Sequence, residues 1–214
     1  MPVFRLAREP IFPPVHLAEP EGLLAVGGDL SPERLMAAYR QGIFPWYEEG
    51  GPILWWSPEP RLVLFPFELK ISRRLRRTIR QGRFETRYDT AFAQVIRACA
   101  LVPRAHEDGT WITPEMQQAY IGLHELGHAH SMESWRDGRL VGGIYGVRVD
   151  RCFCGESMFH HESDASKVAL AALVERLERE GVEVIDCQVA TEHLLRLGAR
   201  TIPRSQFLTF LGPA

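Results

Sequence analysis

The stretch AHSMESWRDGRLVGGIYGVRVDRCFCGESMFHHESDASKVALAALVERLEREGVEVIDCQV (129–189) decides the fold. Asp137-Gly138 between two β-rich runs is a strong type I′ hairpin signal. RCFCGESMF (151–159) follows Asp150 as a third strand. SDASKVALAALVERLEREG (163–181) reads as a helix. Ser163 or Asp164 is its cap, Leu173 and Leu177 share its apolar stripe, and Gly181 stops it. VEVIDCQV (182–189) is the next strand, and Thr191 caps EHLLRLG (192–198) before a short extended end.

Upstream, the regular pieces are helical. ISRRLRRTIRQG (71–82) is a short basic helix, and DTAFAQVIRACA (89–100) is a helix capped by Asp89 or Thr90. TPEMQQAYIGLHELG (113–127) has Thr113 as cap, Pro114 in its first turn and Gly127 as stop. The order is helices, an antiparallel meander, then helix, strand, helix and strand, an α+β pattern with a mixed sheet. Proline and aromatics crowd the first third. There, residues 19–66 read as turns and short extended pieces around one helix, capped by Ser31 and ended by Gly42. We expect two domains, 1–65 and 66–214.

Composition sets the class. The chain has 214 residues, 45% hydrophobic and 24% charged, enough for a sizeable core. No run approaches the length of a membrane span, and MPVFRLAREP (1–10) has no apolar leader core. The expectation is a cytoplasmic protein with no membrane partner and reduced cysteines. A net charge of −2 requires any nucleic-acid partner to be held by a local patch. Lys70 and Lys167 are the only lysines; arginine carries the rest of the positive charge.

Cysteines and histidines crowd 152–161, but C-x-C and His-His are not the paired spacings of a zinc site. We expect no metal, with Cys152, Cys154 and Cys187 as small apolar fillers. A cysteine–histidine nucleophile has no local signature either. Glu156 and Asp186 stand among apolar strand neighbours, where an unpaired carboxylate is costly. In a regular strand Val182, Val184, Asp186 and Gln188 share one face, and Glu183, Ile185, Cys187 and Val189 the other. Such groups form either a satisfied internal network or a polar site in a cleft. Arg73, Arg76, Arg77 and Arg80 line one face of the basic helix. That face is either merely solvated or suited to a phosphate backbone. Trp46, Trp55, Trp56 and Trp111 are core residues or the walls of an aromatic pocket.

Several blocks carry a resemblance. They include PILWWSPEPR (52–61), TWITPEM (110–116), LVGGIYGV (140–147), CGESMF (154–159), DASKVAL (164–170), IDCQV (185–189) and HLLRLGA (193–199). In order, over nearly the whole chain, the sequence resembles the leucyl/phenylalanyl-tRNA–protein transferase family. The resemblance implies a small N-terminal α/β domain and a larger GCN5-related acyltransferase-like domain whose mixed sheet splays beside a central helix. It implies transfer of Leu or Phe from aminoacyl-tRNA to the N-terminal Arg or Lys of acceptor proteins, marking them for N-degron degradation, with no cofactor. A monomer is expected.

Residue by residue, the resemblance implies Trp46 and Trp111 near the aminoacyl-adenosine end. It puts Phe153, Glu156 and Ser157 along the substrate site, and Asp186 and Gln188 at the transfer step. Arg73, Arg77 and Arg80 fall to the tRNA acceptor arm, and Ile144 and Leu173 to the side-chain pocket. We expect Asp186 and Gln188 to position the reactants and Glu156 to orient them. Apolar pockets discriminate by only about 1–3 kcal/mol per methylene, so weak acceptance of methionine is expected. His160 departs from the serine that many relatives carry after the phenylalanine. The competing readings are an acetyl-CoA-dependent N-acetyltransferase and a non-catalytic tRNA-binding module. Against the first, HHESDASK (160–167) offers acids and no glycine where a pyrophosphate turn would lie.

Overall fold

The computed structural model describes residues 3–102 and 110–212. The first part holds β1 (Phe4–Arg5), β2 (Leu23–Val26), α1 (Pro32–Tyr39), β3 (Phe44–Pro45) and β4 (Leu54–Trp56). These strands form a small sheet in the order β1-β2-β4-β3. Ser31 caps α1 by accepting from the Arg34 N–H. Trp55 is fully buried and satisfies its indole by donating to the Gly27 carbonyl at 2.8 Å.

The second part continues with β5 (Arg61–Leu64), α2 (Arg73–Arg80), β6 (Glu85–Tyr88), α3 (Phe92–Ala100) and α4 (Pro114–Glu125). The meander follows as β7 (Ala129–Arg136), β8 (Arg139–Val149) and β9 (Cys152–His160). Then come α5 (Ala165–Arg179), β10 (Val184–Gln188), α6 (Glu192–Arg196), β11 (Arg200–Ile202) and α7 (Arg204–Leu208). Seven strands form one mixed sheet, β11-β5-β10-β9-β8-β7-β6, in which only β9 and β10 run parallel. The α+β class and mixed sheet are those expected. β6 and α7 add to the expected elements, and β5, from the segment assigned to the first domain, is hydrogen-bonded into the larger sheet.

Two expected caps are corrected. Asp89 has φ +56 and accepts from the Ser131 N–H, while Ala91 occupies the cap position of α3 and offers no side-chain cap. Asp164 has φ +72 and makes no cap bond; its carboxylate faces Arg74, Thr78 and Lys167 instead. Both acids serve tertiary contacts that local spacing does not encode.

Period-two alternation sorts the sheet into two cores. Leu62, Leu64, Ile144, Phe153 and Ile185 face α5, where Leu170, Leu173 and Leu177 meet them. Val63, Tyr145, Cys152, Cys154 and Val184 face α3, α4 and the N-terminal part. Gly142 permits the close seat of α5: a Cβ there would lie 2.6 Å from the Ala165 Cβ. The parallel pair β9/β10 is short. It runs from Val184↔Cys152 to Asp186↔Cys154. β9 then continues to His160 while β10 turns away, so the sheet forks beside α5.

Candidate active site

A cleft of about 420 Å³ opens at this fork. Ile144, Met158, Leu170 and Ile185, which pack together, supply its apolar bay; Trp46 and Trp111 also line it, and Glu156, Ser157 and Gln188 are among its polar groups. The strand irregularity that builds the site is local. β10 carries a bulge between Asp186 and Gln188, and Gln188 adopts φ +60. Positive φ is uncommon outside glycine and is held by its surroundings. Here the Gln188 N–H donates to the Asp186 carboxylate at 2.9 Å.

That turn corrects the expected shared face. Ile185 and Cys187 line the cleft, and the bulge rotates Gln188 onto the same side. Asp186 points the opposite way, with no exposed surface. Its two oxygens accept from Arg61 Nε at 2.8 Å and Arg61 Nη2 at 2.6 Å. Arg61 is itself only 1% exposed, donates to the Gly42 carbonyl at 3.1 Å, and lies over the rings of Phe44 and Phe207. A bidentate pair with a further bond to a carbonyl and aromatic faces over the guanidinium is a form in which two charges tolerate burial. Asp186 therefore lines none of the cleft; it reaches the cleft through the Gln188 N–H and through its charge on Glu156.

Glu156 is the carboxylate of the cleft. It is 8% exposed and accepts from Tyr39 Oη at 2.9 Å, Gln188 Nε2 at 3.0 Å and Tyr120 Oη at 3.3 Å. Burial pushes its pKa up to about 7, and the Asp186 charge adds to the rise; the tyrosine hydroxyls and Arg61 hold it back. The two tyrosine hydroxyls also touch each other. Three contacts thus share two hydroxyl protons when Glu156 is ionised, and a proton on Glu156 supplies the third. Burial and the same carboxylate hold Tyr39 and Tyr120 far above their ordinary pKa, so both remain donors.

Trp46, Trp111, Ile144, Glu156, Ser157 and Gln188 meet in the cleft. Phe153 and Leu173 do not. Both are fully buried in the core beneath α5, and Leu170, one turn earlier on that helix, reaches the bay in place of Leu173. Arg73, Arg77 and Arg80 lie exposed on α2, outside the cleft lining. Cys152 and Cys154 are buried with sulfurs 4.0 Å apart. Cys187 borders the cleft, but burial raises its pKa, so it stays a thiol. Sequence reasoning misses Arg61, Tyr39 and Tyr120. Spacing puts Tyr39 on the apolar stripe of α1, and Tyr120 lies at a core position of α4 beside Met116 and Leu123. The spacing of a core tyrosine does not reveal a hydroxyl aimed at a carboxylate far along the chain.

A mixed sheet forked at its parallel pair, with a buried carboxylate lining a cleft at the fork, defines an α+β protein with its site between β9 and β10. Residues 63–212 match the family model described as leucyl/phenylalanyl-tRNA protein transferase, and residues 28–59 match that of its N-terminal domain. The chain belongs to the leucyl/phenylalanyl-tRNA–protein transferase family. It is 64% identical to the relative of that name from Syntrophobacter fumaroxidans, over 99% of this chain and 90% of the relative. To that of Aromatoleum aromaticum it is 64% identical, over 94% and 86%. Among solved structures, a GCN5-related N-acetyltransferase from Kribbella flavida aligns with a TM-score of 0.41 at 11% identity, over 79% of this chain and 60% of that one.

Proposed function

We propose that this protein transfers a leucyl or phenylalanyl group from its tRNA to the α-amino group of an acceptor protein beginning with Arg or Lys, with weak use of methionine. Family membership carries the reading, and the cleft supports it. The bay of Ile144, Met158, Leu170 and Ile185 suits an unbranched-at-Cβ apolar side chain. Trp46 and Trp111 supply aromatic faces for the terminal adenosine. The arginines of α2 suit the phosphates of the acceptor arm. The aminoacyl ester is already activated, so the step needs no nucleotide. In this reading the reaction takes place in the cytoplasm, and transfer marks the acceptor for N-degron degradation.

Chemically, the amine nitrogen attacks the ester carbonyl, the C–N bond forms, and the bond to the ribose oxygen breaks. The nitrogen must shed a proton and the ribose oxygen must gain one. An α-ammonium has a pKa of roughly 7.7–8.0. A carboxylate near 7 is matched to it within about one unit, whereas an ordinary carboxylate falls short by about four. Glu156 takes the proton from nitrogen and returns it to the leaving oxygen. Gln188 stands 3.0 Å from Glu156 and orients the reacting groups; Asp186 and Arg61 hold Gln188 in its turned conformation. In this reading Glu156, expected to orient, handles the protons, and Asp186, expected to position the reactants, positions Gln188 instead.

The test is direct. The protein is incubated with leucyl-tRNA and an arginine-starting peptide, then with acetyl-CoA and the same peptide, and the products are weighed. The reading expects leucyl-peptide in the first and no acetyl-peptide in the second. The reverse result favours the acetyltransferase, and no product in either favours a binding module.

A further inference from the structure

β10 leaves β9 after the Asp186↔Cys154 pair, yet β9 runs on to His160 with β8 on its other side, out to Gly142↔His160. From Glu156 to Met158, no described strand pairs with β9 on the side that β10 vacates. Four consecutive residues, Gly155, Glu156, Ser157 and Met158, border the cleft. A bulge opposite Tyr145–Gly146 breaks the alternation here, yet Glu156 turns to Tyr39 and Tyr120 while Met158 packs on the α5 side, so the cleft reaches both faces and the main-chain edge between them is open. An unpaired edge is a template for another extended chain. Gly155 keeps the start of that lane clear. A Cβ there would point at the Asp186 carbonyl from 3.5 Å, and any longer side chain would fill the fork.

We infer that the first few residues of the acceptor bind as a short added strand along this edge of β9, in the lane that β10 leaves. The inference rests on the proposed transfer and specifies how its acceptor is held. Glu156 and Gln188 meet at the fork, so the α-amine must arrive there. A chain that begins at the fork leaves along the splay, and the open edge of β9 is the hydrogen-bonding surface that leads away from it. The added chain therefore runs parallel to β9, as β10 does. From Gly155 to Phe159 the lane is about 13 Å long at roughly 3.3 Å per residue, room for about four residues. Main-chain pairing reads no side chains. It confines selection to the residue at the fork, which fits acceptors that share only their first residue.

Acceptor peptides that begin with arginine test this with the intact protein. Single backbone amides at the second, third and sixth residues are replaced by esters, which remove one N–H and leave the α-amine untouched. In a parallel strand the N–H groups of successive residues face opposite edges. The expected result is a rise in acceptor KM of about 2- to 10-fold at one of the second and third positions. The other position and the sixth should change little, with kcat held throughout. Equal KM for all peptides, or equal losses at all three positions, would overturn strand addition while leaving transfer intact. No product from the unmodified peptide overturns the transfer reading and the docking with it.

Discussion

Replacing Glu156 with glutamine probes the fork of the sheet through stability as well as rate. The folded protein holds this carboxyl at a pKa of about 7, against an ordinary value of 4.5. A raised folded pKa means that the stabilisation is complete below 4.5 and is lost as pH rises towards about 7. Between these values the unfolded chain has released its proton and the folded one has not. Each unit is worth about 1.36 kcal/mol, so the gap of about 2.5 units totals roughly 3 kcal/mol. Between pH 5 and pH 8 about 2.5 kcal/mol of it should appear. Glu156→Gln keeps the shape and hydrogen-bonding capacity but cannot ionise. Urea unfolding of both proteins across this range should therefore show the variant gaining on the parent as pH rises. Transfer by the parent should rise with pH through about 7, and the variant should lose about 10²- to 10⁴-fold in rate. Parallel stability curves for the two proteins would show that Glu156 is not held protonated by burial. A parent-like transfer rate in the variant would remove Glu156 from the proton path.

The remaining predictions concern its neighbours. Asp186→Asn leaves the Arg61 guanidinium buried without its counter-charge and should cost about 3–5 kcal/mol in urea unfolding. Transfer should fall with it while affinity for aminoacyl-tRNA holds; an unchanged midpoint would contradict the pair as described. Trp46→Ala, at a site 40% exposed, should leave melting nearly unchanged and raise the KM for aminoacyl-tRNA by about 10-fold, as the removal of base stacking would. Arg77→Ala and Arg80→Ala should each weaken tRNA binding and lower its salt slope by about one for every phosphate the side chain neutralises, read from binding at several salt concentrations. Leu170→Ala enlarges the bay and should shift preference from leucine towards phenylalanine by several-fold in competition assays, within the about 1–3 kcal/mol that apolar pockets discriminate.

Much of the fold was legible. The Asp137-Gly138 turn, the caps at Ser31, Thr113 and Thr191, and the glycine stops are short-range signals, and they mark real element ends. The failures were long-range. Asp89 and Asp164 are cap-type residues just ahead of helices, but α3 begins two residues later than Asp89 suggests, and partners from a distant strand and helix hold both carboxylates. Leu173 and Leu170 lie on one stripe of α5, and the seat of that helix on the sheet puts Leu170, not Leu173, at the bay.

By itself, the sequence determined most of the secondary elements, the mixed sheet and the polar strand residues Glu156, Asp186 and Gln188, because these show in spacing and local chemistry; it did not mark their partners Arg61, Tyr39 and Tyr120. The tertiary structure alone decided which carboxylate meets the cleft. Strict alternation aims Asp186 and Gln188 the same way, but one bulge and one positive φ separate them. The cause is Arg61, more than a hundred residues earlier, whose buried guanidinium claims Asp186 and leaves Glu156 at the fork.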